Sequence, residues 1–326
     1  MPSAPLFALP SHAADLQRIE EALKESVRTP DPYLTEIASH LIVAGGKRLR
    51  PVLTVVAAQV GGDADPDLHE RSVQGGIACE LVQTGSLYHD DVMDEADTRR
   101  GVDTVNARWG NLQAILAGDF LLARASEIAA SLGTEVAALL ARTIGRLCEG
   151  QIEELRHTYN AARPEPSYLS SISGKTASLF ATAARIGGLV AGHDRVVVDA
   201  LTEYGESFGM LFQIVDDLLD ITATDAQLGK PAGHDMVQGV YTLPVLRTMQ
   251  AGGVAAVELT SLLGKPLDVA EREKALGIVR SNGGLASALD VARDYVARAE
   301  RSCDLLPAST ATDALRAAPG ALLATL

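Results

Sequence analysis

The chain has 326 residues, 47% of them hydrophobic, enough for a large core in one big domain or two ordinary ones. Its 28 basic and 42 acidic residues leave a net charge of −14, which argues against non-specific binding to nucleic acid or anionic membrane. An anionic substrate would need a metal ion or local cations to approach.

In chain order, helical spacing starts at Leu16, Ile19, Leu23 and Val27 and continues at Leu34, Ile37 and Leu41. Pro51 stands in the first turn of another apolar helix, which Gly61-Gly62 closes. Segments 66–93, 111–131, 134–160, 167–191 and 194–222 read as long helices, divided by Gly, Pro or Asp/Asn clusters. The stretch from about 250 to 326 is helical without a chemical motif and reads as packing. No convincing period-2 strand is present. With only 4% aromatic residues, these helices predict an all-α bundle, a single domain over 1–326, packed closely through Ala and Gly. No apolar run reaches the roughly 18 residues of a membrane span, and the N-terminus has no signal-peptide pattern. Cys79, Cys148 and Cys303 match no zinc spacing and suit a reducing cytoplasm.

Two acidic motifs of the form DDxxD carry the chemistry: Asp90-Asp91-Val92-Met93-Asp94 and Asp216-Asp217-Leu218-Leu219-Asp220. In a helix, i and i+4 share a face, so Asp90 neighbours Asp94 and Asp216 neighbours Asp220. Like charges placed so repel, which points to cations between them. All-oxygen anionic ligands select hard divalent ions, Mg²⁺ foremost, which share their coordination with substrate phosphates. Four cationic stations accompany the motifs: Lys47-Arg48-Leu49-Arg50 after Gly45-Gly46, Arg99-Arg100, Lys175-Thr176, and Lys230. Each alone could be a solvated turn or an ion-pair partner. Together with two metal motifs they describe a site for two phosphorylated molecules.

In this order, GGKRLRP, HDDVMD, RRG, GKT, FQIVDDLLD, GKPAGHD and TLP resemble the trans-isoprenyl (polyprenyl) diphosphate synthases, from about residue 40 to 245. LYHDDVMDEADTRRG and WGNLQAILAGDFLLA are similar in particular to bacterial long-chain enzymes that make quinone side chains. The resemblance implies an isoprenoid-synthase helical bundle around a central cavity, and a homodimer. It implies a prenyltransferase that condenses isopentenyl diphosphate with farnesyl or geranylgeranyl diphosphate. Asp90 and Asp94 would ligate two Mg²⁺ with Asp91 in support. Asp216 would ligate a third, with Asp217 and Asp220 behind it. Arg99, Lys175 and Lys230 would hold the allylic diphosphate. Lys47, Arg50, Arg100 and Gln83 would hold isopentenyl diphosphate. Thr176 and Gln213 would line the place where the carbocation forms, near Phe212. Two positions depart from the family pattern: Val240 replaces a frequent lysine, and Gln83 a frequent histidine.

Product length is expected from the residues before Asp90 on its own helix. Gly85, Ser86 and Val82, with Cys79 and Ala78 further on, are small or medium, where short-chain relatives carry aromatics nearest the motif. One helical turn rises about 5.4 Å, close to one isoprene unit, so the open floor predicts a product of about C30 to C50. Gly85→Phe is then expected to truncate it to about C15–C20. Alternatives are a shorter-chain synthase such as a geranylgeranyl diphosphate synthase, the catalytic subunit of a heteromeric synthase with a small accessory chain, and a class I terpene cyclase. The second DDxxD and GGKRLRP count against the cyclase. The single Glu-x-x-His at Glu154–His157 is half of a di-iron site and reads as helix surface.

Overall fold

A computed structural model describes residues 4–62, 66–224 and 231–326. Sixteen helices are named in chain order among these residues. The first three are α1 (His12–Ser26), α2 (Pro32–Val43) and α3 (Leu49–Ala58). Next come α4 (Pro66–Met93), the short α5 (Val105–Trp109), α6 (Asn111–Leu132) and α7 (Thr134–Arg156). The middle of the chain forms α8 (Glu165–Ile172), α9 (Ser178–Val190) and α10 (Arg195–Thr222). The remainder forms α11 (His234–Val237), α12 (Leu243–Gln250), α13 (Gly253–Leu262), α14 (Val269–Ser281), α15 (Gly284–Ser302) and α16 (Thr310–Leu323). The all-α class expected from the periodicity is what the chain adopts.

Helix α9 is apolar nearly all round and lies at the centre of the molecule, as such a helix must. It packs on α3, α4 and α10; α4 packs in turn on α6, and α10 on α15. Small residues set the spacing. A Cβ at Gly187 would stand 2.3 Å from the Thr54 carbonyl oxygen, and one at Gly209 would stand 2.5 Å from the Ala177 Cα. The C-terminal helices, read as packing, close the side of the bundle behind α10.

Three local features depart from the expected helices. The helix drawn over 134–160 stops at Arg156, because Tyr159 turns left-handed at φ +57° and its N–H bonds to the Gly239 carbonyl at 2.9 Å. The helix drawn over 167–191 is interrupted by a π-turn at Ser173–Ala177, which carries Lys175 and Thr176. Such bulges add a residue to one turn and re-aim the side chains on it. A minimal hairpin also exists, β1 (Thr98–Arg99) against β2 (Val102–Asp103). Arg100 and Gly101 form its turn with φ of +56° and +78°, the paired positive values that a tight two-residue hairpin needs. Two-residue strands are too short to leave an alternating pattern in sequence.

Candidate active site

The first acidic wall is the C-terminal end of α4. Asp94 lies just past the last helical residue, and its N–H still bonds to the Asp90 carbonyl at 2.8 Å, so the two side chains remain one turn apart. Burial pushes the Asp90 carboxyl above the usual range; Lys175 opposes this and the Asp94 charge adds to it. Asp91, a third of a turn round, points inward and is fully buried. Its Oδ1 accepts from Arg99 Nε at 2.5 Å. Asp91 thus holds the hairpin strand that presents Arg99. The hairpin sends its two arginines opposite ways. Arg99 goes to the acidic wall, while Arg100 Nη1 donates to the carbonyls of Leu41, at 2.9 Å, and Gly45.

The second wall is on α10. Asp216 is exposed, Asp217 and Asp220 are buried. Asp220 accepts from the Asp235 N–H at 3.3 Å, and its carbonyl from Gly233 N–H at 2.8 Å, which fastens the chain that returns toward α11. Asp217 accepts from Tyr168 and Gln213, and Gln213 accepts from the Thr176 hydroxyl at 2.8 Å.

The π-turn joins the two walls. Thr176 faces Gln213 on α10. Lys175 faces the other way, with Nζ donating to Glu154 Oε1 at 2.6 Å. Burial works against the lysine's charge, but Glu154, Asp90 and Asp94 outweigh it and hold Lys175 above the usual lysine range. Helix α7 comes this close because it crosses the turn at glycine. A Cβ at Gly150 would stand 2.5 Å from the Lys175 backbone nitrogen, and one at Gly174 would stand 2.7 Å from the Arg146 carbonyl oxygen. Glu154 therefore belongs to the site and is not the helix-surface residue expected from sequence. A lone Glu-x-x-His gave no signal for that role.

The Gly45–Pro51 segment separates its cations. Arg48 is 1% exposed, in a left-handed conformation at φ +48°. Its Nε and Nη2 bond to Glu20 at 2.7 and 3.2 Å, Nη1 to Glu80 at 3.0 Å, and Nη2 also to the Ile42 carbonyl at 2.7 Å. It is a structural clamp. Arg50 stacks its guanidinium 4.4 Å over the Phe180 ring, and its Nε is buried with no hydrogen-bond partner. Burial lowers its pKa to about 10, with Glu80 opposing and Arg100 assisting. Lys47 is exposed. Gln83, one turn beyond Glu80 on α4, is partly exposed. Glu80, 3% exposed between these arginines, was not singled out from sequence, because a buried carboxylate has no signature apart from its partners. Lys230 lies outside the described residues.

Among the described residues no three carboxylate, His or Cys groups stand close enough to hold an ion by themselves. The donors at Asp90, Asp94 and Asp216 still fit a hard cation. They are carboxylates only, and Asp90 and Asp94 stand one turn apart. Mg²⁺ commonly completes such a set with water and phosphate oxygens.

Along α4, Tyr88 turns away from the site, its hydroxyl donating to the Ile37 carbonyl at 2.8 Å. Val82, Ser86 and Asp90 share one line of the helix. Gly85 lies against α6, where a Cβ would meet the Gly118 carbonyl oxygen at 3.0 Å and Leu121 at 3.4 Å. A bulky residue at 85 therefore presses first on the α4–α6 contact, and Ser86 is the cleaner place to probe a channel. A groove of about 410 Å³ between α7 and the α8–π segment, lined by Arg146, Glu149, Glu153, Arg156, Ser170 and Ser173 among others, includes none of the motif aspartates, arginines or lysines.

The sequence description of the polyprenyl synthetase family matches residues 31–279. The chain is 40% identical over 295 residues to nonaprenyl diphosphate synthase of Mycobacterium tuberculosis, covering 90% of this chain and 87% of that protein. It is 40% identical over 303 residues to heptaprenyl diphosphate synthase component 2 of Geobacillus stearothermophilus, covering 93% of each. The fold is similar to the crystal structure of polyprenyl synthase from Caulobacter crescentus CB15 complexed with calcium and isoprenyl diphosphate. That match has a TM-score of 0.91 and 33% identity, over 99% of this chain and 98% of that one. The family match and the diphosphate synthases it resembles make the chain a prenyltransferase. The chain belongs to the polyprenyl synthetase family.

Proposed function

We propose that the chain is an all-trans polyprenyl diphosphate synthase that extends farnesyl or geranylgeranyl diphosphate with isopentenyl diphosphate to a long product of about C30 to C50 on the one-turn-per-unit scale. The observation that carries this reading is the π-turn. It sets Lys175 beside Asp90 and Asp94 and, one residue on, ties Thr176 to the α10 wall.

Arg99 and Lys175, with Lys230, bind the allylic diphosphate; Arg50, Arg100, Lys47 and Gln83 bind isopentenyl diphosphate. The buried, unpartnered Nε of Arg50 supports an anion there. Asp90, Asp94 and Asp216 would hold Mg²⁺, three ions by family resemblance, which when bound supplies positive charge against the diphosphate oxygens. The C1–O bond of the allylic diphosphate breaks heterolytically, and Arg99 and Lys175 stabilise the departing pyrophosphate. Thr176 and Gln213 line the allylic cation. The isopentenyl double bond attacks C1, and a proton leaves to pyrophosphate.

The long product is supported by the small residues at Ser86 and Val82 below Asp90, and by the names of the nonaprenyl and heptaprenyl relatives. No described helix is long and apolar enough to cross a membrane. We place the enzyme in the cytoplasm, consistent with its free cysteines. Helix α6 leaves Leu112, Ile115 and Leu116 exposed, at 74, 41 and 65%, and this face supports a homodimer. The word "component" in the Geobacillus relative's name favours one second reading, the catalytic subunit of a two-chain synthase.

Purified protein, Mg²⁺, isopentenyl diphosphate and farnesyl diphosphate should yield a polyprenyl diphosphate, sized after dephosphorylation. Ser86→Phe should shorten it to about C15–C20. A hydrocarbon product would make the chain a cyclase. A short product from the unaltered chain would remove the long-chain reading. Turnover only with an added second chain would select the two-chain reading.

A further inference from the structure

Helix α10 turns Asp217 away from Asp216 and into the core, where it is 2% exposed. Each of its oxygens accepts one hydrogen bond: Oδ1 from Gln213 Nε2 at 2.9 Å, and Oδ2 from the Tyr168 hydroxyl at 2.5 Å. Burial and the Asp235 charge push this carboxyl well above the usual range, but Oδ1 accepts in either state, as a carboxylate oxygen or as the carbonyl oxygen of the acid. Gln213 must therefore present Nε2 to it, which leaves Oε1 on the far side of the amide. Oε1 accepts from Thr176 at 2.8 Å. The single hydroxyl proton of Thr176 is committed to that bond, so any further neighbour meets oxygen lone pairs.

We propose that Tyr168 and Asp217 are positioning residues that set the direction of every bond in this chain, so that Thr176 offers electron-rich oxygen to the developing allylic cation. The inference rests on the function proposed above, which places the cation beside Thr176 and Gln213. Tyr168, 1% exposed on α8, keeps the carboxylate from rotating toward Asp216 by occupying Oδ2. Behind it the Arg163 guanidinium lies 5.6 Å from the Tyr168 ring centroid and bonds through Nη2 to Ser171 Oγ at 2.6 Å. Arg163 is 4% exposed, and its positive charge interacts with Asp217. Without the anchor, the Gln213 amide is free to turn over. Its NH₂ would then donate to Thr176, and the threonine proton would point toward positive charge, which opposes ionisation.

Tyr168→Phe removes one oxygen atom and keeps the ring. Its kcat should fall about tenfold, a modest loss on the scale that misplacement of reacting groups can reach, with both KM values held within about twofold. A thermal melt reports whether the fold is kept. In a Thr176→Val background there is no hydroxyl to orient, so the same change should alter kcat by less than about twofold. Equal losses in the two backgrounds, or no loss in the first, would overturn the proposal. Asp217→Asn can reverse the chain and should show the same fall in kcat. Calorimetric binding of Mg²⁺ with inorganic pyrophosphate should be unchanged in Asp217→Asn and weakened in Asp216→Asn. Equal weakening in both would make Asp217 a metal ligand and also sink the idea. Unaltered protein that makes no polyprenyl diphosphate removes the proposed function and this inference with it. Active protein with additive losses removes the inference alone.

Discussion

Arg48 and Arg50 stand two residues apart in one basic segment, yet their surroundings give them opposite work. Arg48 is saturated by Glu20, Glu80 and a carbonyl, and fixes the loop. Arg50 has a ring beneath it and a buried Nε without a partner, and burial disfavours its charge more than Glu80 compensates it. Arg50→Met should raise stability by about 1 kcal/mol, because relief of a charge that Glu80 only partly compensates exceeds the lost stacking on Phe180. The same change should raise the KM for isopentenyl diphosphate roughly tenfold to a hundredfold, the worth of charge-assisted bonds to an anion. The sign of the pH dependence follows from a folded-state pKa of about 10, below the guanidinium's ordinary value. The penalty is full below that pH and fades as pH rises through it. Urea melts of both proteins should differ by a constant amount near neutrality and converge in strong base; lower stability of Arg50→Met at neutral pH would refute the account. At this scale the sequence showed which residue types gather, but not their roles. Asp91 and Asp217 carry the same letters as their neighbours and face inward. Glu80 and Glu154 gave no signal, since their importance lies in partners 32 and 21 residues away.

Helix lengths and boundaries were largely legible because an apolar period of 3.6 sums over many residues. Helix α4 begins and ends at the expected residues, as does α10 within one. The interruption at Ser173–Ala177 was not legible. A π-turn shifts the phase of the pattern by a single residue, within a stretch that is buried almost all round. What stabilises it is contact with α7 across two glycines. Gly150→Ala should therefore push α7 off the turn, destabilise the protein by about 1–3 kcal/mol as overpacking does, and lower kcat through a displaced Lys175. Denaturant melts and assays on the same preparation test this; unchanged stability would mean that the turn tolerates the methyl and is not held by this contact.

At the scale of the molecule, the apolar strip of Leu112, Ile115 and Leu116 on α6 has no cover among the described residues. Exposed apolar surface of this kind commonly marks an interface. In the proposed homodimer Leu116→Glu should place a charge in that interface and yield monomers, measured by light scattering. A dimer of unchanged affinity would move the interface elsewhere. Because α6 packs directly on α4, which carries Asp90, the loss of the dimer should also lower activity.

By itself the sequence determined the all-α class and the place of the two aspartate motifs and the basic residues along the chain, because each rests on local spacing and residue type. Only the tertiary structure decided which aspartates are buried, that Arg48 is ion-paired while the Arg50 Nε has no partner, and how Lys175 and Thr176 part company at the π-turn. Those outcomes depend on burial and on partners distant in the chain, and no local pattern encodes them.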